Sequence, residues 1–585
     1  MRPDSPAKLP RADLEGVLEL LGRPAHLRLL RQLRRGIEKE SLRIAPDGTL
    51  AATPHPPALG SALTNPHITT DFSEALLELV TPPLMRLSAL EKTLRDLHGF
   101  VLRRIGDELL WAASMPCQLP ADEEAIPIAR YGRSNVARMK EIYRRGLGYR
   151  YGRRMQTIAG IHFNWSAPDE LLCLVQSARG QREEFAEFKT AAYFGLVRNF
   201  RRHLWLPLYL LGAAPVVCRS FVAGRDHPLE PLGEDAHSLH APFATSLRMG
   251  ELGYQSSAQE TLAICYNDLA SYAHSLLAGL STPWPPYERI GLFDERGEYK
   301  QLNTHLLQIE NEFYAAIRPK RTTLSGEAPL KALRERGVEY VEVRALDVDP
   351  FEPLGVSRQT LEFLDVFLLH CLLADSPPCD ERERREIAAN QRTAVWRGRE
   401  PGVELVRCGR ALSLRRWGEA LLAEMAPIAE LLDRAHHHRR HSAALAEMAA
   451  RLAEPERTPS ARAVGGAARR RRELFPMVSG TEPPPQGGAA HRAGWTPRRR
   501  PSTPSWPPCR WPTRKPSSAP TTAPSRSTWP PTTPSTAHEP FGPRLPVGRR
   551  SRRPGGGGSP PTSSRGRSGK GACRTPWPGA CACTA

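Results

Sequence analysis

Apolar residues recur at helical spacing through residues 12–34, the pattern of a helix that buries one face. At RGIEKESLRIAPDGTL the period shortens to two, which predicts a strand, and Pro46-Asp47-Gly48 predicts the turn that ends it. A loop punctuated by Pro and Gly follows to about residue 70, then an apolar run, Ala75 to Val80, stopped by Thr81-Pro82-Pro83. A long amphipathic helix is expected over about residues 86–104, with further helical patterns near 183–204, 258–279, 356–375 and 417–453. Short β-branched stretches lie between them, the clearest being GVEYVEVRAL. Strands and helices do not alternate regularly, so the chain reads as α+β with an antiparallel sheet rather than a doubly wound parallel one. No internal repeat is visible.

The polar positions of the strands carry the chemistry. Alternation in RGIEKESLRI puts Glu38 and Glu40 on one face and Ile37 and Lys39 on the other. The same rule in GVEYVEVRALD groups Tyr340, Glu342 and Arg344 against Val341 and Val343. Carboxylates held close together repel and raise one another's pKa, so they commonly share a cation. Magnesium with nucleotide phosphates is the usual solution, because it prefers oxygen ligands. Each strand taken singly also fits a sheet with one wet face. Asp71 and Glu78 flank the apolar run of DFSEALLELVTPP. His162 sits among apolar neighbours in GIHFNWS, where a hydrogen-bonded core histidine is more common than a ligand. No G-x-x-x-x-G-K-[ST] pattern is present, since Ser568-Gly569-Lys570 lacks the first glycine, and no G-x-G-x-x-G follows a strand. Any nucleotide must then be held by metal and dispersed side chains.

Charge changes the picture only at the end of the chain. Of 81 Lys+Arg and 62 Asp+Glu, about 22 and about 3 fall in residues 461–585, so the net charge of +19 resides there and residues 1–460 are near neutral. About 24 of the 57 prolines fall there too, with few Leu, Ile or Val, so this basic tail is expected to be disordered. Its composition is that of an out-of-frame reading of a GC-rich gene. Trp506, Arg510, Trp511 and Arg514 interleave as in single-strand binders, but no RRM, OB or finger signature accompanies them, so a nucleic-acid partner is not expected. The N-terminus has no apolar signal-peptide core, and Leu204 to Cys218 is too short and proline-broken to span a bilayer, which predicts a cytoplasmic protein without a membrane partner. Cys117, Cys173, Cys218, Cys265, Cys371, Cys379 and Cys408 show no paired spacing and are expected to be thiols. The histidines between His436 and His441 offer nickel or zinc ligands of the kind a metal column captures, but, set among arginines on a helical pattern, they read as solvated surface.

The blocks RGIEKESLRI, LGSALTNPHITTDFSEALLELVTPP, GDELLWAASMPC, ARYGRSNVARMKEIYRRGLGYRYGRRMQTIAGIHFNWS, PFATSLRMGELGY, LQIENEFYAAIRPKR and GVEYVEVRALDVDPF follow one another in this order. In them the chain resembles the proteobacterial glutamate-cysteine ligases over about residues 12–460. The resemblance implies a fold related to glutamine synthetase, a curved antiparallel sheet forming a funnel lined with carboxylates. It implies a catalytic domain over residues 1–460, with its helical C-terminal part incomplete, followed by the tail of 461–585. It also implies an ATP-dependent activity, with Mg2+ or Mn2+, that joins the γ-carboxyl of glutamate to the amine of cysteine through a γ-glutamyl phosphate. Position by position, the family's metal ligands match Glu38, Glu40, Asp71, Glu78, His162 and Glu342, and its catalytic pair matches Glu342 and Arg344. Polar groups around the nucleotide and substrates match Arg248 and Gln156, and the cysteine pocket matches Phe72, Tyr143, Arg144, Leu147, Tyr254 and Tyr314. Departures are Asn65, where the family often has His, Ala137, where it often has Gly, and everything after PERTPSAR, where the family continues with helices. A related ligase with another amine acceptor shares the same blocks, and competition between cysteine and 2-aminobutyrate separates the two.

Overall fold

The computed structural model describes residues 13–233, 237–253, 257–324 and 326–470. The chain divides into two units, Met1–Gly488 and Ala489–Ala585, and every described residue belongs to the first. The predicted disorder of residues 471–585 lies outside the described residues, as do Trp506, Arg510, Trp511 and Arg514.

The period-two segment is β1, Arg34–Ile44, the centre of a seven-stranded sheet. Its companions are β2 (Ile68–Thr70), β3 (Leu76–Val80), β4 (Leu109–Leu110), β5 (Ile161–Ser166), β6 (Ile317–Lys320) and β7 (Tyr340–Leu346). They run in the order β2-β3-β1-β5-β7-β6, with β4 also paired to β1, and every pairing is antiparallel. The expected α+β class with an antiparallel sheet is what forms. Register decides the faces: Glu40 lies opposite Glu78, Glu38 opposite His162, and Glu342 opposite both Asn164 and Arg318. All of them point to one side. On the other side Ile37, Leu77, Leu79, Ile161, Phe163, Trp165, Val341 and Val343 are fully buried. They join one core with the helices behind, and each such side chain stabilises the sheet by about 1.5–3 kcal/mol.

Arg35, Lys39, Ser41 and Arg43 are buried polar residues on this same side of β1, and Lys39 lies nearest its middle. Its Nζ donates to Ser41 Oγ at 2.8 Å and lies 2.9 Å from His98 Nε2, and burial lowers its pKa to about 7.

Several helical patterns break where local chemistry forbids continuity. Residues 12–34 form two helices, α1 (Leu14–Leu21) and α2 (Pro24–Leu30), before β1 begins at Arg34. Pro24 has no N–H to continue the first helix and a φ suited to starting the second. The next helices are α3 (Leu87–Leu102), α4 (Asn135–Tyr151) and α5 (Phe185–Arg202). The 258–279 pattern yields only a short turn at Ser257–Glu260 and then α6, Leu269–Ser281, whose start is fixed by Asp268 accepting from the Ser271 N–H. After α7 (Arg358–Leu373) and α8 (Glu381–Arg397), the 417–453 pattern divides into α9 (Leu414–His436) and α10 (Arg440–Ala453). His437 between them adopts a left-handed φ of 56°, which reverses the chain. A last helix, α11, Pro459–Arg470, crosses the boundary drawn at residue 460 from composition, with Ser460, Ala461 and Ala463 buried.

His203 follows α5 and is half-buried, with its ring 6.3 Å from that of His370 and 6.1 Å from that of Trp417. Burial, then the neighbouring His370, lowers its pKa to about 3. A histidine depressed on folding contributes stability that is present above its unfolded value near 6.5 and lost as pH falls toward 3. We therefore expect His203→Leu to recover on the order of 3–4 kcal/mol of that acid-side loss, read as urea midpoints at pH 7 and pH 4. Parallel pH dependence in variant and parent would refute the assignment.

Candidate active site

The carboxylate face of the sheet forms the floor of a cavity of about 360 Å3, and α4 with the segments around Gln156 and Tyr314 forms its walls. Glu38, Glu40, Asp71, Glu78, His162, Glu342 and Arg344 all line it. Thus the residues singled out by strand alternation and the resemblance converge.

The floor is held by short contacts. His162 Nδ1 lies 3.3 Å from Glu38 Oε2 and 3.8 Å from Glu342 Oε1, and its Nε2 lies 3.8 Å from Glu40 Oε1. Glu40 Oε2 accepts the Gly160 N–H at 2.7 Å, and Glu38 Oε1 accepts from Asn164 Nδ2 at 2.7 Å. Arg344 Nη1 is 3.4 Å and Lys320 Nζ 3.6 Å from Glu342 Oε1, with Arg318 Nη1 4.0 Å from Oε2.

Electrostatics divide the carboxylates into two groups. Burial, then Asp71, pushes Glu40 up to about 8. Burial, then Glu38, pushes Glu78 well above the ordinary carboxylate range. Burial acts on Glu342 in the same direction, but Lys320 and Arg344 outweigh it and hold that group ionised. Such a floor is incomplete without positive charge. Glu38, Glu78 and His162 each offer a ligand atom, all within 4.8 Å of one another, and the buried His162 Nε2 and Glu342 Oε2 have no hydrogen-bond partner. The donor set, mostly carboxylate oxygen, fits a hard divalent cation.

The wall residues behave differently from one another. Phe72 and Leu147 are buried and pack with Tyr143 and Ile126 into a small apolar cluster at the cavity edge. Arg144 donates from Nε to the Asp71 carbonyl and lies over the Tyr131 ring. Gln156 Nε2 donates to the Tyr314 hydroxyl at 3.1 Å. Arg248 does not reach the cavity surface. It is fully buried, donating from Nη2 to the Arg344 carbonyl at 2.8 Å, and Gly160 leaves the space, since a Cβ there would meet the guanidinium at 2.0 Å. Tyr254 lies outside the described residues. Sequence reasoning missed Arg318, Lys320 and Asn164, although IRPK and IHFNWS carried the same two-residue signal. The seven cysteines of residues 13–470 are all free thiols, as expected, and none lines this cavity.

Phosphate-bearing substrates on such a floor need both the fixed cations and carboxylates able to hold a dication. The class this floor fits is that of enzymes that act on phosphate-bearing substrates. Comparison with known proteins narrows the class. A family model for glutamate-cysteine ligase matches residues 18–394. The glutamate-cysteine ligase of Saccharophagus degradans is 54% identical over 438 residues, 74% of this chain and 82% of its own. That of Pseudomonas putida strain W619 is 51% identical over 444 residues, 76% and 83% respectively. Among solved structures, a glutamate-cysteine ligase from Francisella tularensis in complex with AMP aligns with a TM-score of 0.71 at 35% identity, covering 76% of this chain and 87% of that one. A bifunctional glutathione synthetase from Pasteurella multocida aligns at 0.63 and 25%, covering 80% and 54%. The chain belongs to the glutamate-cysteine ligase family.

Proposed function

We propose that this cavity joins the γ-carboxyl of glutamate to the amine of cysteine at the expense of ATP, the first step of glutathione biosynthesis. The observation that carries this reading is the convergence of Glu38, Glu40, Glu78, His162, Glu342 and Arg344 beside the apolar pocket of Phe72, Tyr143 and Leu147. A carboxylate is a poor acyl donor because its leaving group would be oxide. Transfer of the terminal phosphoryl of ATP to the γ-carboxyl gives an acyl phosphate, which the cysteine amine attacks with expulsion of phosphate.

Each residue then has a task. Glu38, Glu40, Glu78, His162 and Glu342, with Asp71 beside them, would hold Mg2+ or Mn2+, whose charge when bound neutralises the transferring phosphoryl oxygens. Arg344 faces the cavity and meets the negative charge of the tetrahedral oxyanion. Arg248 acts through Arg344, fixing its backbone from below. A second cavity of about 340 Å3 shares Tyr314 and Arg344 with the first and presents Arg201, Arg384, Arg385 and Arg392, a set suited to the nucleotide's phosphates. Gln156 and Tyr314 form the polar edge of the amino-acid pocket, and Phe72, Tyr143 and Leu147, with Arg144 beside them, enclose a thiol side chain. We assign the catalytic domain to residues 1–460 and place the enzyme in the cytoplasm. That setting accords with the free thiols and with the finding that no described helix is long and apolar enough to cross a membrane.

The test is ADP release by the full chain with ATP, magnesium, glutamate and cysteine, each omitted in turn. Release that needs all four supports the reading, and release that persists without glutamate or without an amine overturns it. Leu147→Ala should raise KM for cysteine about 10-fold, the worth of one to two lost methylene contacts, with a smaller change for glutamate. Equal changes for both amino acids would remove Leu147 from the thiol pocket.

A further inference from the structure

The histidines expected on a wet surface instead close around an aspartate where α9 turns into α10. Asp433 is 6% exposed and His441 2%. Asp433 Oδ1 lies 3.2 Å from His438 Nδ1 and 3.1 Å from His441 Nδ1. The left-handed His437 turns the chain so that His438 and His441 face Asp433 across the bend. Their rings stack with centroids 5.2 Å apart, and His436 stacks on His438 at 5.6 Å and lies 5.7 Å from His441.

Backbone capping alone does not require two imidazoles here. Asp433 already accepts the His441 N–H at Oδ1 and the Ser442 N–H at Oδ2. One ligand atom each from Asp433, His438 and His441 lies within 4.8 Å of the others, and the buried Nε2 atoms of His436 and His441 have no hydrogen-bond partner. A tetrahedral zinc ion with bonds of about 2.0–2.1 Å sets neighbouring ligand atoms about 3.3 Å apart. The two oxygen-to-nitrogen distances are close to that edge. The outer face of His441 fits the same chemistry: its Nε2 lies 3.9 Å from Asp365 Oδ2, and Asp365 is itself fixed by Arg35 and Trp165. At 3.9 Å the two do not hydrogen-bond, but a carboxylate on the outer side of a metal-bound imidazole favours that ring orientation electrostatically.

We propose that Asp433, His438 and His441 form a second metal site for one zinc-class divalent ion. It pins α9 to α10 and, through Asp365 and Arg35, ties that hairpin to the strand bearing Glu38 and Glu40. Two imidazole nitrogens favour zinc, nickel or cobalt over magnesium, in contrast to the oxygen-rich catalytic floor. Half-exposed His438 provides the way in.

The experiment uses the full chain stripped of metal, dialysed against limiting Zn2+ in the presence of millimolar Mg2+, with Co2+ as a spectroscopic probe. The parent should bind one equivalent more than His438→Ala and than Asp433→Asn, and a visible Co2+ band present in the parent should be lost in both variants. Thiols elsewhere also take up zinc, so the difference between chains reports this site. Zn2+ should raise the melting temperature of the parent and of Glu78→Gln but not of His438→Ala, which alters a half-exposed side chain. Equal stoichiometry and equal melting shifts in parent and His438→Ala would overturn the proposal, as would an equivalent lost in Glu78→Gln and kept in His438→Ala.

Discussion

Glu342→Gln is expected to lower kcat by at least about 10^3-fold while the protein still folds. The substitution preserves shape and removes one charge at the point where Arg344, Lys320 and His162 meet, 3.4, 3.6 and 3.8 Å from the same oxygen. Lys320 and Arg344 hold Glu342 ionised across the working pH range, so it is a constant negative charge in the floor, unlike Glu40 and Glu78. Its loss leaves those two cations under-compensated and removes one oxygen from the candidate cation ligands. The rate loss should be accompanied by a higher magnesium requirement and by a lowered melting temperature of the metal-free protein, because the paired, ionised carboxylate contributes stability. Steady-state ADP release across a magnesium titration measures both. A variant within about 10-fold of the parent at every magnesium concentration would place the chemistry elsewhere.

The largest stability effect should come from Asp365→Ala. Asp365 on α7 and Arg35 on β1 form a fully buried fork, Nε to Oδ1 at 2.7 Å and Nη2 to Oδ2 at 2.6 Å, with Trp165 Nε1 donating at 3.2 Å. Removing one partner strands a guanidinium in the core, which costs about 3–5 kcal/mol. The carbonyls of Leu33 and Met85, which also accept from Arg35, place the expected loss toward the lower end. Replacing both partners with apolar residues, as in Arg35→Met with Asp365→Leu, should recover much of it, because a paired buried charge adds little over well-packed hydrocarbon. Guanidinium denaturation of the parent and both variants decides the matter. A double variant no more stable than the single one would mean that the pair is needed for the packing of β1 and not merely for its own neutrality.

Period-two alternation was enough to group Glu38 with Glu40 and Glu342 with Arg344, because a side chain's face in a strand follows from its position alone. It was not enough to bring the strands together, since pairing order depends on contacts far apart in sequence. β1 and β5 are neighbours across more than a hundred residues, and only the matching blocks hinted at it. Helix α4 escaped the pattern search because just Ala137, Gly146 and Leu147 are buried on it, and the side chains of Tyr143 and Arg144 face the cavity instead of a core. The 417–453 segment keeps an apolar stripe through both α9 and α10, so the break at His437 left no mark in the periodicity. The histidine run misled for a related reason. Its arginine neighbours Arg439 and Arg440 are exposed, as composition suggests, but the turn rotates His438 and His441 inward toward Asp433. Arg248 shows the limit of carrying a role over by position, because its charge is used from beneath Arg344 and not at the cavity surface.

The two sides of β1 leave that strand no freedom of length. One residue inserted between Ile37 and Leu42 would turn Lys39 toward the cavity and force a glutamate among Leu77, Phe163 and Val341, destroying site and core by one event. Loop residues 52–66 carry no such double duty on the sheet. Gains and losses of codons are therefore expected in the loop that follows the strand and not within the strand itself.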